Sequence, residues 1–234
     1  MVRFILLQII AHTISDFYLQ TNKSCTDKAK KGFKSPKLYI HVLITFACAW
    51  LLSFSFNFWW MALIIAVSHL LIDAMKSYAS KCKSIFFIDQ LLHLFLIVSA
   101  CYLWNCNLPD CVSSVGEEYI ALLLGVLICA KPSNIIIKEI LKAANIKVDK
   151  GSDDDITGDL PNAGKLIGVV ERLLSLVFVL LGQYEAVGFI IAAKSLLRFA
   201  EGDKAKSEYV LIGTLLSFSM AIFVGVAIKL YYGL

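Results

Sequence analysis

Histidine and aspartate recur at helical spacing in the first part of this chain. All four histidines fall within residues 12–93, and three of them have an aspartate four positions away. A spacing of four puts both side chains on one face of a helix. Imidazole nitrogens and carboxylate oxygens suit zinc, iron or manganese, and facing helices that project both are an established way to build metal sites. We therefore predict a divalent metal site, with zinc first and iron or manganese as alternatives, formed by His12, Asp16, His41, His69, Asp73, Asp89 and His93.

The order of the residues within the pairs predicts that they lie at one depth. His precedes Asp at residues 12–16 and 69–73, whereas Asp precedes His at 89–93. If successive helices run in opposite directions, each aspartate lies about one turn, or roughly 6 Å, nearer the cytoplasmic end than its histidine. His41, near the start of its own apolar segment, falls at the same end. Converging ligands in an antiparallel bundle require this arrangement.

A site of this kind predicts hydrolytic chemistry. An open coordination position would let the metal activate water, with Asp16, Asp73 or Asp89 as the catalytic base. Some of these carboxylates would instead orient a histidine without binding the metal. Two other interpretations stay open: interhelical hydrogen bonds that only hold the bundle together, and a pathway for protons or ions.

The composition is that of a membrane protein with several spans. Of 234 residues, 59% are hydrophobic and 17% are charged, and the mean hydropathy is +0.74. Soluble domains have about 45–50% apolar and about 25% charged residues. Because a helix needs about 20 apolar residues to cross a bilayer, the sequence predicts an all-α transmembrane bundle of about eight spans. The predicted spans are 2–20, 38–56, 58–76, 85–104, 117–137, 164–182, 185–200 and 208–230.

Basic residues in the connecting segments predict the orientation, because lysine and arginine favour the cytoplasmic side. Residues 21–37 carry six lysines, whereas residues 105–116 carry no basic residue. The bias alternates at every predicted crossing and puts both termini outward. The prediction is one membrane domain over 1–234, with a His/Asp four-helix half (1–104) and a C-terminal helical half (117–234) that includes a cytoplasmic loop (144–163).

A second polar set lies in the C-terminal half. Arginine matches phosphate in bidentate fashion, so a substrate-binding role is predicted for Arg172, Lys194 and Arg198. Structural ion pairs are predicted for Glu171, Glu201 and Glu208, because a charge at membrane depth needs a partner. The candidate pairings are Glu171–Lys194 and Arg172–Glu208, and the alternative is that the whole set only locks the bundle. Gly164 and Gly168, four residues apart, predict a close helix contact.

Four segments of the first half resemble the signature of an uncharacterised family of bacterial integral membrane proteins, defined by a domain of unknown function. They are AHTISDFYLQTNK, HVLITF, SHLLIDAMK and FIDQLLHL. The helices with His-x-x-x-Asp spacing are also similar in pattern to membrane-bound metal-dependent hydrolases. The first likeness implies a multi-pass protein of the bacterial inner membrane and implies no activity, and the second raises the expectation of metal.

Three functions are the hypotheses that remain. The first is metal-dependent hydrolysis of a lipid-linked or phosphorylated substrate. The second is a transporter or channel for a metal cation or protons, and the third is a membrane partner without turnover in a stress or defence system. Membrane lipids are predicted partners, and a homo-oligomer and a cytoplasmic protein partner stay open. Scattered lysines give no pattern for nucleic-acid binding.

Overall fold

The computed structural model describes residues 1–78, 85–104, 108, 110–146, 163–199 and 204–233. Every regular element within these residues is a helix, which confirms the all-α prediction. The α-helices are α1 (Val2–Thr13), α2 (Asn22–Lys31), α3 (Pro36–Leu51), α4 (Trp59–Tyr78), α5 (Ile85–Leu103), α6 (Asp110–Ser113), α7 (Glu117–Ala130), α8 (Pro132–Ala143), α9 (Ala163–Leu180), α10 (Tyr184–Phe199) and α11 (Lys204–Tyr232). A π-helical segment (Ile14–Leu19) and two 3₁₀ turns (Gly32–Lys34, Phe56–Phe58) complete the elements. Most of the predicted loop 144–163 lies outside the described residues.

The chain divides into two compact units, residues 1–124 and residues 125–234. In the first unit, α3 packs against α4, α4 packs against α5, and α1 packs against both α3 and α5. Helix α2 lies against α3 and α4. In the second unit, α8, α9 and α10 all pack against α11.

The apolar core of the first unit lies at one end of its helices. It is built from the start of α1, the end of α3, the end of α5, and the start of α4 with the turn before it. Phe58 meets Phe4 and Trp104 edge-on, with ring centroids 5.2 and 5.8 Å apart. Each such contact adds about 0.5–1.5 kcal/mol beyond the burial of area. The opposite halves of these helices carry the histidines and aspartates, so the core and the polar residues occupy different ends.

The outer faces of the first unit are apolar and its interior is partly polar. Leu43 and Leu91 are 66% exposed and Phe95 is 69% exposed, whereas His41 and Asp89 are each only 2% exposed. Water-soluble proteins rarely show this combination, because large exposed apolar surface is unfavourable in water. The distribution is consistent with membrane association.

Four described helical segments are long and apolar enough to cross a membrane, and a fifth qualifies if α7 and α8 count as one bent span. The four are Val2–Leu19, Phe56–Lys76, Ile85–Leu103 and Glu208–Tyr232. The predicted count of eight is not supported. Helix α3 has 16 residues, which gives a length of about 24 Å against a hydrocarbon core of about 30 Å. Helices α9 and α10 carry charged residues within their length.

Helices α7 and α8 meet at a bend of 48°. Pro132 opens α8, and proline cannot donate a backbone hydrogen bond to the carbonyl four residues earlier. That carbonyl belongs to Ile128 and instead accepts a hydrogen bond from the Ser133 hydroxyl at 2.8 Å. The predicted span 117–137 is therefore broken at Lys131, and a side chain replaces the lost backbone bond.

Close helix packing in the second unit depends on a glycine that the sequence pattern did not single out. A Cβ added at Gly225 would lie 2.8 Å from Val179 Cγ1, so α11 and α9 approach as closely as only glycine allows. A Cβ added at Gly164 would meet nothing within 4 Å among the described residues. The predicted close contact at Gly164 is thus not found among the described residues.

Candidate metal centre

The first unit brings all seven predicted metal ligands into one region. His12 lies on α1, Asp16 on the π-helical segment, His41 on α3, His69 and Asp73 on α4, and Asp89 and His93 on α5. Every one of them except Asp16 is 2–7% exposed, and the Asp16 side chain is 9% exposed. Three overlapping groups have donor atoms within 4.8 Å of one another: His12–Asp16–His93, Asp16–His41–His69 and His69–Asp73–His93.

Asp16, His41 and His69 form a compact donor set. Asp16 Oδ1 lies 3.4 Å from His41 Nε2 and 3.5 Å from His69 Nε2, and the two imidazole nitrogens are 2.9 Å apart. A tetrahedral zinc ion with bonds of about 2.0–2.1 Å separates its ligand atoms by about 3.3–3.4 Å. The observed separations are close to that value, so these three side chains fit around one ion with little movement.

Asp73 supplies a fourth donor to the same set. Its Oδ2 atom lies 3.8 Å from the Nε2 atoms of both His41 and His69. Two histidines and two carboxylates are a donor combination that zinc accepts. The same Asp73 oxygen also receives a hydrogen bond from the Lys28 ammonium group.

His12, Asp89 and His93 lie on the other side of His69. The His93 ring is stacked at a tilt on His69 with centroids 4.1 Å apart, and the His12 ring lies 5.2 Å from His93. His93 Nδ1 is 3.8 Å from Asp89 Oδ1. Within the described residues, the buried atoms His12 Nδ1, Asp89 Oδ1 and both ring nitrogens of His93 have no hydrogen-bond partner. Buried polar atoms without a partner are uncommon in folded proteins and call for an explanation.

Two lysines that the sequence assigned to topology reach into this region. Lys28, on α2, is 7% exposed and pairs with Asp73. Lys76, near the end of α4, donates to Asp89 Oδ2 at 2.6 Å. Each lysine therefore neutralises one of the three carboxylates. Sequence reasoning missed both roles, because Lys28 is one of six lysines within residues 21–37, which looked like an ordinary cytoplasmic loop, and Lys76 stands at the end of the predicted span 58–76.

The segment that positions Lys28 has the local signals of a helix. Thr21 caps α2 by accepting a hydrogen bond from the backbone N–H of Ser24 at 3.3 Å, and Gly32, with a φ of 54°, ends it. The hydrogen bonds that Lys31 and Ser35 donate to the Asp27 carboxylate lower the pKa of that group. The Ser35 bond also ties α2 to the start of α3, and α2 thereby covers the site.

Asp16 lies within the π-helical segment that ends the first span. π-helical turns are rare and often occur at functional sites, since the extra residue redirects a side chain. Next to it, the Ser15 and Thr45 hydroxyls lie 2.7 Å apart, and Thr45 donates to the His41 carbonyl at 3.1 Å. The Ser15–Thr45 contact joins the π-helical segment to α3, and it helps to set the distance between Asp16 and His41.

A pocket of about 170 Å³ opens beside the site. Its lining includes Gln20, Cys25, Lys28, Asp73 and Lys76. Of the polar residues that flank the cluster in sequence, Gln90 contacts both His12 and Asp89. Ser68 instead donates to the carbonyl of Ile65 and does not join the site. The pocket is a route by which an ion or a small anionic group could reach Asp73.

The C-terminal polar set lies in the second unit. Lys194 pairs with Glu171, one of the two pairings that the sequence offered. Arg172, which is 2% exposed, donates to the carbonyls of Cys129 and Ala130 at the bend, and to Asn134 Oδ1 and Ser217 Oγ. Its donors thus satisfy backbone groups that the bend frees. Glu208 is exposed, the side chain of Arg198 is not described, and Glu201 lies outside the described residues.

Comparison with known proteins gives one match. The model of a family described as "Protein of unknown function (DUF3307)" matches residues 4–121. No curated protein and no solved structure matches the chain. The match confirms the resemblance to an uncharacterised domain family, and it covers every residue of the candidate centre without attaching any chemistry to them.

Proposed function

We propose that this chain, which belongs to the family described as "Protein of unknown function (DUF3307)", is a multi-pass membrane protein that binds a divalent metal ion and uses it to hydrolyse a lipid-linked or phosphorylated substrate. The ion is held by Asp16, His41, His69 and Asp73. Zinc is the preferred metal, with iron and manganese as alternatives. The proposed location is the cytoplasmic membrane of a bacterium, with both termini outward and up to eight crossings, and with α2 on the cytoplasmic side.

The observation that carries the proposal is that several buried nitrogen and oxygen atoms able to bind a metal converge without hydrogen-bond partners among the described residues. If the pairs served only to hold helices together, each buried nitrogen and oxygen would have a hydrogen-bond partner. Instead, among the described residues, His12 Nδ1, Asp16 Oδ1 and both nitrogens of His93 have none. A bound cation would provide the missing interactions, because it accepts lone pairs from several of these atoms at once.

The chemistry follows from the donor set and the pocket. Zinc held by these four side chains would have to expand to five-coordinate to take a water, whose pKa would then fall to near 7, and it would polarise a phosphoryl oxygen. Asp73 lies both at the donor set and on the pocket wall, where it could accept a proton. Lys28 and Lys76 line the same pocket and favour an anionic substrate group. A substrate-binding role for Arg172, Lys194 and Arg198 stays a prediction, and the contacts of Arg172 favour a structural role.

Transport is the second candidate, and helix breaks favour it. Transporters hold ions at interrupted helices, and this chain has a π-helical segment at Asp16 and a bend between α7 and α8. The apolar core argues against a pathway through the first unit. Phe4, Phe58 and Met61 are 0–4% exposed and fill the end of the unit that lies opposite the histidines.

Metal content and turnover test the proposal together. Protein without a histidine tag is purified in detergent, and its zinc, iron and manganese are measured by mass spectrometry. We expect at least one ion per wild-type chain and fewer ions in His69→Ala. Ser68→Ala is the matched control, because the neighbouring hydroxyl bonds only to Ile65 and its loss should leave the metal in place.

Turnover is then measured with p-nitrophenyl phosphate, bis(p-nitrophenyl) phosphate and a polyprenyl phosphate in mixed micelles. We expect hydrolysis by the wild type and its loss in His69→Ala. A folded wild type that binds no metal would overturn the proposal. A metal-loaded wild type without turnover that carries zinc into proteoliposomes would favour transport instead.

A further inference from the structure

The candidate centre has more donors than one ion can use. Six side chains form the overlapping donor groups and Asp89 lies beside one of them, His93, whereas the preferred tetrahedral zinc takes four ligands. Asp16, His41, His69 and Asp73 already provide a four-ligand set. His12, Asp89 and His93 then remain buried beside it, although a site for one ion does not need them.

The contacts of Gln90 show which ring nitrogen of His12 donates. Gln90 Nε2 donates to the Asp89 carboxylate at 3.1 Å, and a carboxylate can only accept, so the amide orientation is set. The amide oxygen Oε1 therefore faces His12 Nε2, 3.4 Å away. A neutral His12 must carry its proton on Nε2, and its Nδ1 presents a lone pair.

That lone pair points at another acceptor. His12 Nδ1 lies 3.7 Å from Asp16 Oδ1, and neither atom has a hydrogen-bond partner within the described residues. Two buried acceptors that face each other repel unless a cation lies between them. His93, with two unpaired nitrogens, belongs to the same donor group as His12 and Asp16.

Asp89 lies beside His93. Lys76 and Gln90 hold its Oδ2 atom, which leaves Oδ1 unpaired and 3.8 Å from His93 Nδ1. The arrangement resembles the hydrogen-bonded carboxylates that orient metal-binding histidines. The group His69–Asp73–His93 links this region to the first donor set, so the two positions are adjacent.

We propose that the chain binds two divalent cations side by side, one at Asp16, His41, His69 and Asp73, and a second at His12 and His93, with the Asp16 carboxylate shared between them and Asp89 orienting His93. The inference rests on the proposed metal-binding function and extends it. Paired ions about 3.5–4 Å apart are the arrangement that phosphatases and nucleases use to hold both the attacking and the leaving oxygen of a phosphate ester. The second position therefore favours phosphate esters as the substrate class.

Manganese titration with electron paramagnetic resonance tests the second position. Detergent-purified protein is stripped with a chelator, freed of it, and titrated with Mn²⁺ alone. We expect about two ions per wild-type chain and the spectrum of an exchange-coupled pair. In His93→Gln we expect about one ion with the spectrum of an isolated centre, because the variant keeps the first donor set.

The outcomes separate the two proposals. One ion per wild-type chain with an isolated spectrum would overturn the second position and leave the first intact. Two ions in His93→Gln would also overturn it. No bound manganese or zinc in the folded wild type would overturn the proposed function itself. The wild-type spectrum decides the question even if His93→Gln does not fold.

Discussion

Removal of the Lys28 ammonium should destabilise the protein unless metal is present. Lys28 and Asp73 form a pair whose side chains are 9% and 7% exposed. Loss of one partner from a buried pair costs about 3–5 kcal/mol, because the other charge is left without compensation. We therefore expect Lys28→Met to lower the free energy of unfolding of the metal-free protein by about that amount. With zinc bound, the ion compensates Asp73 and the loss should be much smaller.

The same reasoning predicts a change in zinc affinity. In the wild type, zinc competes with Lys28 for Asp73, and in Lys28→Met it does not. By linkage, the free energy lost by the metal-free variant reappears as tighter binding, up to about two to three and a half orders of magnitude in Kd. Competition with a chromophoric chelator measures that affinity. Unfolding is followed by tryptophan fluorescence, since Trp50, Trp59, Trp60 and Trp104 all lie in the first unit.

Lys31→Met provides the matched control on the same helix. Lys31 pairs with Asp27 at 2.7 Å, but its side chain is 55% exposed, and such pairs contribute about 0–1 kcal/mol. It should change neither stability nor zinc affinity by much. If Lys28→Met and Lys31→Met behave alike, or if zinc does not reduce the effect of Lys28→Met, the assignment of Asp73 to the metal is refuted.

Three further outcomes are expected. Zinc retention should fall as the pH is lowered from about 7.5 to about 5.5, because protons compete with zinc for the histidine nitrogens. Dialysis at each pH followed by elemental analysis measures the zinc that remains bound. Retention that does not change with pH would exclude histidine ligands. Arg172→Met should destabilise the second unit by about 1–3 kcal/mol for each carbonyl left unpaired at the bend. Arg172→Lys should not restore the lost stability, since lysine lacks the planar guanidinium that reaches several acceptors at once. Thermal unfolding in detergent measures both variants. Gly225→Ala should destabilise the second unit, because the added Cβ clashes with Val179. Gly213→Ala should be neutral or stabilising by up to about 1 kcal/mol, because an added Cβ there meets nothing within 4 Å among the described residues. Equal effects of the two variants on stability would contradict the close packing of α9 on α11.

The His/Asp cluster was predictable because its signal is periodic and local. Spacing of four fixes a shared helix face, and the reversed order at Asp89 and His93 reports an antiparallel neighbour without knowledge of any distance. The sequence could not reveal which donors lie within reach of one ion. That depends on the π-helical segment at Asp16 and on the Ser15–Thr45 contact, neither of which has a recognisable pattern.

The lysines and the spans were harder for a related reason. Lys28 lies in a lysine-rich segment of the kind that marks the cytoplasmic side of a membrane. Only the cap at Thr21 and the glycine at the end of α2 indicate a helix that could carry Lys28 into the site. Hydropathy likewise counts apolar residues but does not detect bends. The break at Pro132 could be expected from proline itself. The hydrogen bonds that Arg172 donates to backbone carbonyls at this break could not, because they depend on contacts between distant segments.

The charges of the centre explain why metal and an anionic substrate should bind together. Three carboxylates face two ammonium groups, and with neutral histidines the net charge of the site is one negative. The chain can therefore fold without metal at a modest electrostatic cost. One divalent ion reverses the net charge to one positive, and a second raises it to three positive, in a region where an uncompensated charge is costly. An anionic group in the pocket beside Lys28 and Lys76 offsets that excess, so phosphate should strengthen the binding of metal, and metal should strengthen the binding of phosphate to the same extent.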